Sequence, residues 1–162
     1  MKISKERLIV TFLLAILIAF IPLGAAAPVG TSENATLEAA NNWLGVKSVH
    51  GGNNTTAIDC SHLVYQVYSQ VGAKDIFFQK VPDMKNNTDY VNTSSPAPGD
   101  VIFWQKDVPQ NGRIYWLATH VGIYIGNNQF IDTSFDTKNV TTENITGVYE
   151  EGMPYFARWS RI

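Results

Sequence analysis

Thr119-His120-Val121-Gly122-Ile123-Tyr124-Ile125-Gly126, then Asn127-Asn128, then Gln129-Phe130-Ile131-Asp132-Thr133, is the stretch on which the fold turns. Aliphatic side chains recur at every second position on both sides of a Gly-Asn-Asn break, the pattern of two strands joined by a tight hairpin. With Gly126-Asn127-Asn128 as a three-residue loop, Asp132 stands opposite Gly122 and one pair diagonal to His120. That register gathers His120, Gly122, Tyr124 and Asp132 on one face and Val121, Ile123, Ile125 and Ile131 on the other. A two-residue loop would slip Asp132 onto the aliphatic face, where an unpaired carboxylate is costly.

Working outward, the two-residue period also marks strands at 101–104, 114–118, 120–125, 129–133 and 156–162, with 146–149 a further candidate. Upstream the period is helical. Residues 33–44 carry a stripe of Leu37, Ala40, Trp43 and Leu44 behind a Ser32 cap. Residues 60–71 place Cys60, Leu63, Val64, Val67, Tyr68 and Val71 on one side, with Asp59 as cap and Gly72 as stop. The Asn-, Ser-, Thr- and Pro-rich run 75–98 reads as irregular connection, and Gly51-Gly52-Asn53-Asn54 as a loop. Helices followed by a meander of strands imply an α+β fold, with N-terminal helices packed on an antiparallel sheet.

Cys60 is the only cysteine and opens the second helix. The helix dipole and unsatisfied N–H groups at that position favour a thiolate, so Cys60 is read either as a nucleophile or as a small buried hydrophobe. Among three histidines, His62 falls on roughly the opposite helical face from Cys60, and His50 lies in the glycine loop with nothing local to orient it. His120 alone acquires a carboxylate, Asp132, from the hairpin register. Thiol chemistry wants that set: Cys60 as nucleophile, His120 as base, Asp132 to orient the imidazole, and helix N-terminal N–H groups to receive an oxyanion. The plainer alternative leaves Asp132 as a turn residue and His120 as a polar strand end. Such chemistry needs neither cofactor nor metal, and none is expected.

Lys2, Lys5 and Arg7 precede an apolar run from residue 8 to 23, with Ala25-Ala26-Ala27 behind it, the build of an export signal cleaved after Ala26. An uncleaved anchor is the other reading of the same run. Taking 1–26 as the signal peptide leaves 27–162 as one secreted domain of 136 residues, expected to be monomeric and not to insert stably into a membrane. Three basic residues and one acid leave with the signal, so nine Lys and Arg face thirteen Asp and Glu, a net charge near −4. That balance excludes a basic nucleic-acid face and simple electrostatic adhesion to an anionic surface. Seven of thirteen asparagines begin an Asn-x-Ser/Thr sequon: Asn34, Asn53, Asn54, Asn86, Asn92, Asn139 and Asn144. Chance would give about two, so the excess suggests an exported protein of an N-glycosylating cell.

Asp59-Cys60-Ser61 opening a helix, Pro98-Gly99-Asp100-Val101-Ile102-Phe103 on the first strand, His120 through Gly126, and Phe130-Ile131-Asp132 resemble the NlpC family of papain-like cell-wall peptidases, from about Leu44 to the end. The resemblance implies a circularly permuted papain-like fold and hydrolysis of amide bonds in wall stem peptides, murein or pseudomurein-like. It matches Cys60 to the nucleophile, His120 to the general base, Asp132 to the third polar position, and Asp59 and Ser61 to a subsite for the substrate's amine. The chain departs from the family at Lys47-Ser48, where Pro-Tyr is usual, at His62, where glycine is usual, and at Asp132, where histidine is common. His50 and His62 therefore become candidate substrate-binding residues, and Trp104, Tyr115 and Trp116 are either core or cleft wall. Two alternatives to the peptidase stay open: a catalytically silent domain that binds wall peptides, and an acyltransferase using the same Cys-His apparatus.

Overall fold

The computed structural model describes residues 30–145 and 152–162. In chain order the elements are α1 (Gly30–Asn41), β1 (Lys47–Ser48), β2 (Asn53–Asn54), β3 (Ala57–Ile58), α2 (Cys60–Gln70), α3 (Val81–Asn86), β4 (Tyr90–Thr93), β5 (Val101–Gln110), β6 (Arg113–Gly126), β7 (Gln129–Thr133), β8 (Val140–Asn144) and β9 (Met153–Trp159). A six-stranded sheet in the order β4-β9-β5-β6-β7-β8 is antiparallel at every pairing, and β1-β3-β2 form a small second sheet. The fold is α+β, few helices on an antiparallel sheet.

The apolar stripe of α2 decides how helix and sheet meet. Leu63, Val64, Val67 and Tyr68 are fully buried and share one cluster with Val101, Phe103, Val121, Ile123 and Ile131 from β5, β6 and β7. Full burial of such aliphatic side chains stabilises by about 1.5–3 kcal/mol each, which fixes α2 across the sheet centre. The Tyr68 hydroxyl donates to the Gly99 carbonyl at 2.7 Å and pins the helix to the turn before β5. In that turn the Arg158 guanidinium grips the buried Asp100 carboxylate at 2.7 and 2.8 Å, tying β9 to the start of β5. Ile102, Trp104 and Phe130 form a second buried cluster with Ile145 and Phe156, so the central strands are covered on both faces.

The hairpin turn differs from the expected three-residue loop while its register stands. Asn127 and Asn128 alone form the turn, both at positive φ, as a two-residue primed turn requires. One extra residue of β6 between Tyr124 and Gly126 then bulges, which restores the pairing of Tyr124 with Phe130 and Ile123 with Ile131. The aliphatics therefore stay on the core side.

Other boundaries move for long-range reasons. Residues 114–118 and 120–125 are one strand, β6, whose pairing with β5 shifts between Trp104 and Gln105 so that Thr119 is the extra residue beside His120. β5 continues past Trp104 to Gln110 because β6 offers it a partner over that whole length. The run 75–98, expected to be irregular, holds α3, which buries Val81 and Met84, and β4, which pairs with β9. The Gly51-Gly52 loop leads into β2. A side chain at Gly52 would meet the Ala57 and Ile58 backbone at 2.7 Å, so glycine is required for that approach. The first helix runs Gly30–Asn41 instead of 33–44, and the last strand Met153–Trp159 instead of 156–162. The candidate strand at 146–149 and the signal at 1–26 lie outside the described residues.

Candidate active site

Asp59 builds the start of α2. Its extended backbone makes it the N-cap, and its Oδ1 accepts from the His62 backbone N–H at 2.8 Å and from the Ser61 hydroxyl at 2.9 Å. His62 Nδ1 lies at 2.9 Å from the same oxygen, and Oδ2 accepts from the Gly51 N–H at 3.1 Å. Burial pushes this carboxyl up, but those donors together hold it below its ordinary value, so it stays charged. The Leu63 N–H is taken by the Asp59 carbonyl at 2.8 Å. The first two N–H groups of the helix, those of Cys60 and Ser61, are then left with no hydrogen-bond partner among the described residues.

Cys60 is a free, half-buried thiol packed against the main core. Its partner comes from β6. His120 is 1% exposed, and its Nε2 lies 2.6 Å from Oδ2 of Asp132, also 1% exposed. Burial alone would push the imidazole down, yet the hydrogen bond to Asp132, the neighbouring Cys60 thiol and the charges of both outweigh it, and the ring is held well above its ordinary value of 6.5. With Nε2 on the carboxylate, Nδ1 is the nitrogen left to meet the thiol.

Local sequence makes this possible. Gly122 lies between the two acting residues in register, and a Cβ there would meet the Ile131 carbonyl and Phe130 ring at 3.0 Å and the Asp132 Cβ at 3.2 Å. The missing side chain lets β7 approach closely enough for the carboxylate to reach the ring. The extra residue at Thr119 sits immediately before His120, the position where a bulge re-aims a neighbouring side chain. Trp104 packs at 5.3 Å from the His120 ring and Phe135 at 5.6 Å, so the imidazole lies among aromatic rings.

The remaining sequence candidates fall out differently. Ser61 is buried, with its hydroxyl spent on Asp59. His62 turns back to Asp59 and stacks on Phe78 at 3.8 Å and 14°. His50 is exposed at the turn before Gly51, with no hydrogen bond or ring contact among the described residues. Trp104 is core, whereas Tyr115 and Trp116 stand exposed on the β5–β6 extension. Sequence reading passed over Phe78, Phe135 and Glu143. Burial pushes the Glu143 carboxyl up, the Ser134 hydroxyl pulls it down, and the Asp132 and Asp136 charges push it up again, with a net rise. No local pattern points to these three, because contacts across the fold bring them here. Among the described residues, no group of three His, Cys, Asp or Glu is placed to hold a metal ion.

A cysteine at the head of the central helix, packed with a six-stranded antiparallel sheet that carries a buried histidine, is the build of a papain-like cell-wall peptidase domain. Residues 45–155 match the family model described as the NlpC/P60 family, and the chain belongs to that family. Probable endopeptidase NlpC of Escherichia coli (strain K12) is 32% identical over 111 residues, which is 66% of this chain and 64% of that protein. The gamma-DL-glutamyl hydrolase of Bacillus subtilis (strain 168) is 27% identical over 142 residues, 86% of this chain and 32% of that protein. Among solved structures, the NlpC/p60 domain of peptidoglycan hydrolase SagA is 28% identical with a TM-score of 0.57, covering 78% of this chain and 97% of that one. NlpC1 from Trichomonas vaginalis, at 23% identity and a TM-score of 0.64, covers 82% of this chain and 45% of that one and supports the fold. This chain spans 49% and 64% of the length of the Haemophilus influenzae and Escherichia coli NlpC proteins it matches.

Proposed function

We propose that this chain is an exported cysteine peptidase that hydrolyses amide bonds in cell-wall stem peptides through Cys60, His120 and Asp132. The observations that support the reading are the free Cys60 thiol at the head of α2, packed against the core to which β6 contributes, and the buried His120 ring of β6, whose Nε2 lies 2.6 Å from the Asp132 carboxylate. The reaction follows from these groups. His120 Nδ1 holds the proton given up by the thiol, Cys60 Sγ attacks the scissile carbonyl carbon as the thiolate, and the Cys60 and Ser61 N–H groups face the oxygen as it becomes an oxyanion. Collapse breaks the C–N bond, the imidazolium gives its proton to the leaving amine, and a thioester remains on Cys60. Water, deprotonated by the same imidazole, then hydrolyses the thioester and restores the thiol. Asp132 holds the ring in one orientation and stabilises its cationic form.

The wall substrate and the site of action rest on family membership. The similar proteins include a murein DD-endopeptidase, MepH, of Escherichia coli and the peptidoglycan hydrolase RipB of Mycobacterium tuberculosis. Such substrates lie outside the cytoplasm, and residues 1–26 are assigned as the signal that carries the chain there. At the substrate end, Asp59 is charged but already accepts from Gly51, Ser61 and His62, so an incoming amine must share its oxygens. The test is digestion of purified murein and pseudomurein with the full chain and with Cys60→Ala. Peptides released by the first and not the second, identified by mass spectrometry, support the reading and name the bond. Release of nothing from either polymer, by protein whose circular dichroism shows it folded, refutes it.

A further inference from the structure

We propose that Asn92 and Asn144 are N-glycosylated and that their glycans block the two open edges of the large sheet against strand addition from a second copy of this chain. Among the described residues the sheet begins with β4 and ends with β8, each hydrogen-bonded along its length to a single neighbouring strand. An open edge is a row of backbone donors and acceptors that templates pairing with another chain, and proteins usually blunt it with lysine, proline, bulges or a covering element. β4 reads Tyr-Val-Asn-Thr and β8 reads Val-Thr-Thr-Glu-Asn; neither holds a lysine or proline, the one charge between them is the half-buried Glu143, which interacts with Asp132, and Val91 of β4 is 52% exposed. What each holds instead is a sequon asparagine, Asn92 before Thr93-Ser94 and Asn144 before Ile145-Thr146.

The geometry suits the modification. The first half of β8 is already covered, since Val140 exchanges backbone hydrogen bonds with Gly45 and Val46, and Lys47 bridges to Asn139. The half with no outer partner among the described residues ends at Asn144, paired on the inner side with Gln129. Asn92 lies within β4, opposite Ala157 of β9. Both asparagines are exposed, and neither side chain has a hydrogen-bond partner among the described residues. Asn139 is the contrast, half-buried on the covered part of the same edge, with its Nδ2 donating to the Thr137 carbonyl at 3.0 Å. In the transfer step the side-chain Nδ2 attacks the anomeric carbon of a lipid-phosphate-linked oligosaccharide. A C–N bond forms, the C–O bond to the carrier breaks, the lipid phosphate leaves with the electron pair, and the amide proton passes to the transferase base. A bulky, strongly hydrated group is then held at each open edge. The assignment is independent of the peptidase chemistry.

The test expresses the full chain behind a secretion leader in an N-glycosylating eukaryotic host and maps glycopeptides by mass spectrometry. Asn92 and Asn144 are expected to be occupied and Asn139 empty; an unoccupied Asn92 or Asn144 on secreted protein overturns the proposal. Ser94→Ala with Thr146→Ala removes both sequons while keeping both asparagines. By light scattering after size exclusion, wild type is expected to stay monomeric as concentration rises and the double variant to self-associate, as wild type should after enzymatic deglycosylation. A double variant and deglycosylated wild type that both stay monomeric would refute the edge-protecting role.

Discussion

Replacing Asp132 tests the site most directly, because its carboxylate acts on the reaction only through His120. In Asp132→Ala the imidazole loses a charge-assisted hydrogen bond 2.6 Å long in a site where both partners are 1% exposed. Such a bond contributes about 1.5–3 kcal/mol, and if it is held through the transition state its loss slows kcat/KM by roughly 10- to 100-fold. Asp132→Asn keeps the shape and removes the charge; its amide NH2 can donate to Nε2 and hold the ring in the wrong tautomer, so turnover should fall at least as far as in Asp132→Ala. The carboxylate is one of the groups holding His120 well above 6.5, so an imidazolium that assists leaving-group departure persists past neutral pH. The alkaline limb of the kcat/KM profile should therefore lie above 6.5 in wild type and move down in Asp132→Asn. Stability follows the same sign. A ring whose affinity for its proton is raised on folding contributes stabilisation that is complete below 6.5 and lost as pH rises through the raised value, so the urea midpoint should fall across that alkaline window, and less so in Asp132→Asn. The assay is kcat/KM against pH on one fluorogenic wall peptide, with folding checked by circular dichroism. A folded Asp132→Ala enzyme within threefold of wild type, or an alkaline limb that stays in place in Asp132→Asn, would refute the orienting role.

Cys60 is expected to alkylate with iodoacetamide in the folded protein, faster in wild type than in His120→Ala; a thiol that reacts only after denaturation would be structural. Asp59→Ala removes the cap of α2 and should lower stability by about 1–2 kcal/mol by urea titration, and an unchanged midpoint would mean water replaces the cap. Gly122→Ala crowds the Ile131 carbonyl and the Asp132 Cβ and should cost about 1–3 kcal/mol while reducing turnover, whereas wild-type activity would show that β7 yields without moving the carboxylate. Cleavage of one wall peptide with free and acetylated N-termini measures what the shared Asp59 oxygens still contribute. Preference for the free amine that Asp59→Asn abolishes would support an amine subsite, and equal rates would show that His62, Ser61 and Gly51 have taken the carboxylate out of recognition.

Much of the site is written in local pattern. A helical stripe headed by Asp59-Cys60 is enough to place a thiol at a capped helix start, because capping depends on residues three apart. The two-residue period around Gly126-Asn127-Asn128 is enough to set Asp132 diagonal to His120, because one slip would bury a carboxylate among aliphatics. Even so, the turn reaches that register through two residues and a bulge, a choice made by the φ values of both asparagines. What lay beyond sequence depends on partners distant in the chain. Tyr90–Thr93 and Val140–Asn144 have no alternating pattern and are strands because β9 and β7 offer them backbone donors and acceptors. Residues 105–110 extend β5 only because β6 runs beside them, and Thr119 bulges only where those two strands fall out of step. His62 was legible as a residue on the far face of α2 from Cys60, but its return to Asp59 and its stacking on Phe78 required packing to bring the segment after α2 back over the helix start. Hydrogen-bond demand and burial period act within a few residues and are readable there; edge pairing, aromatic contacts and the sharing of one carboxylate among three donor residues are settled only when the whole sheet closes on α2.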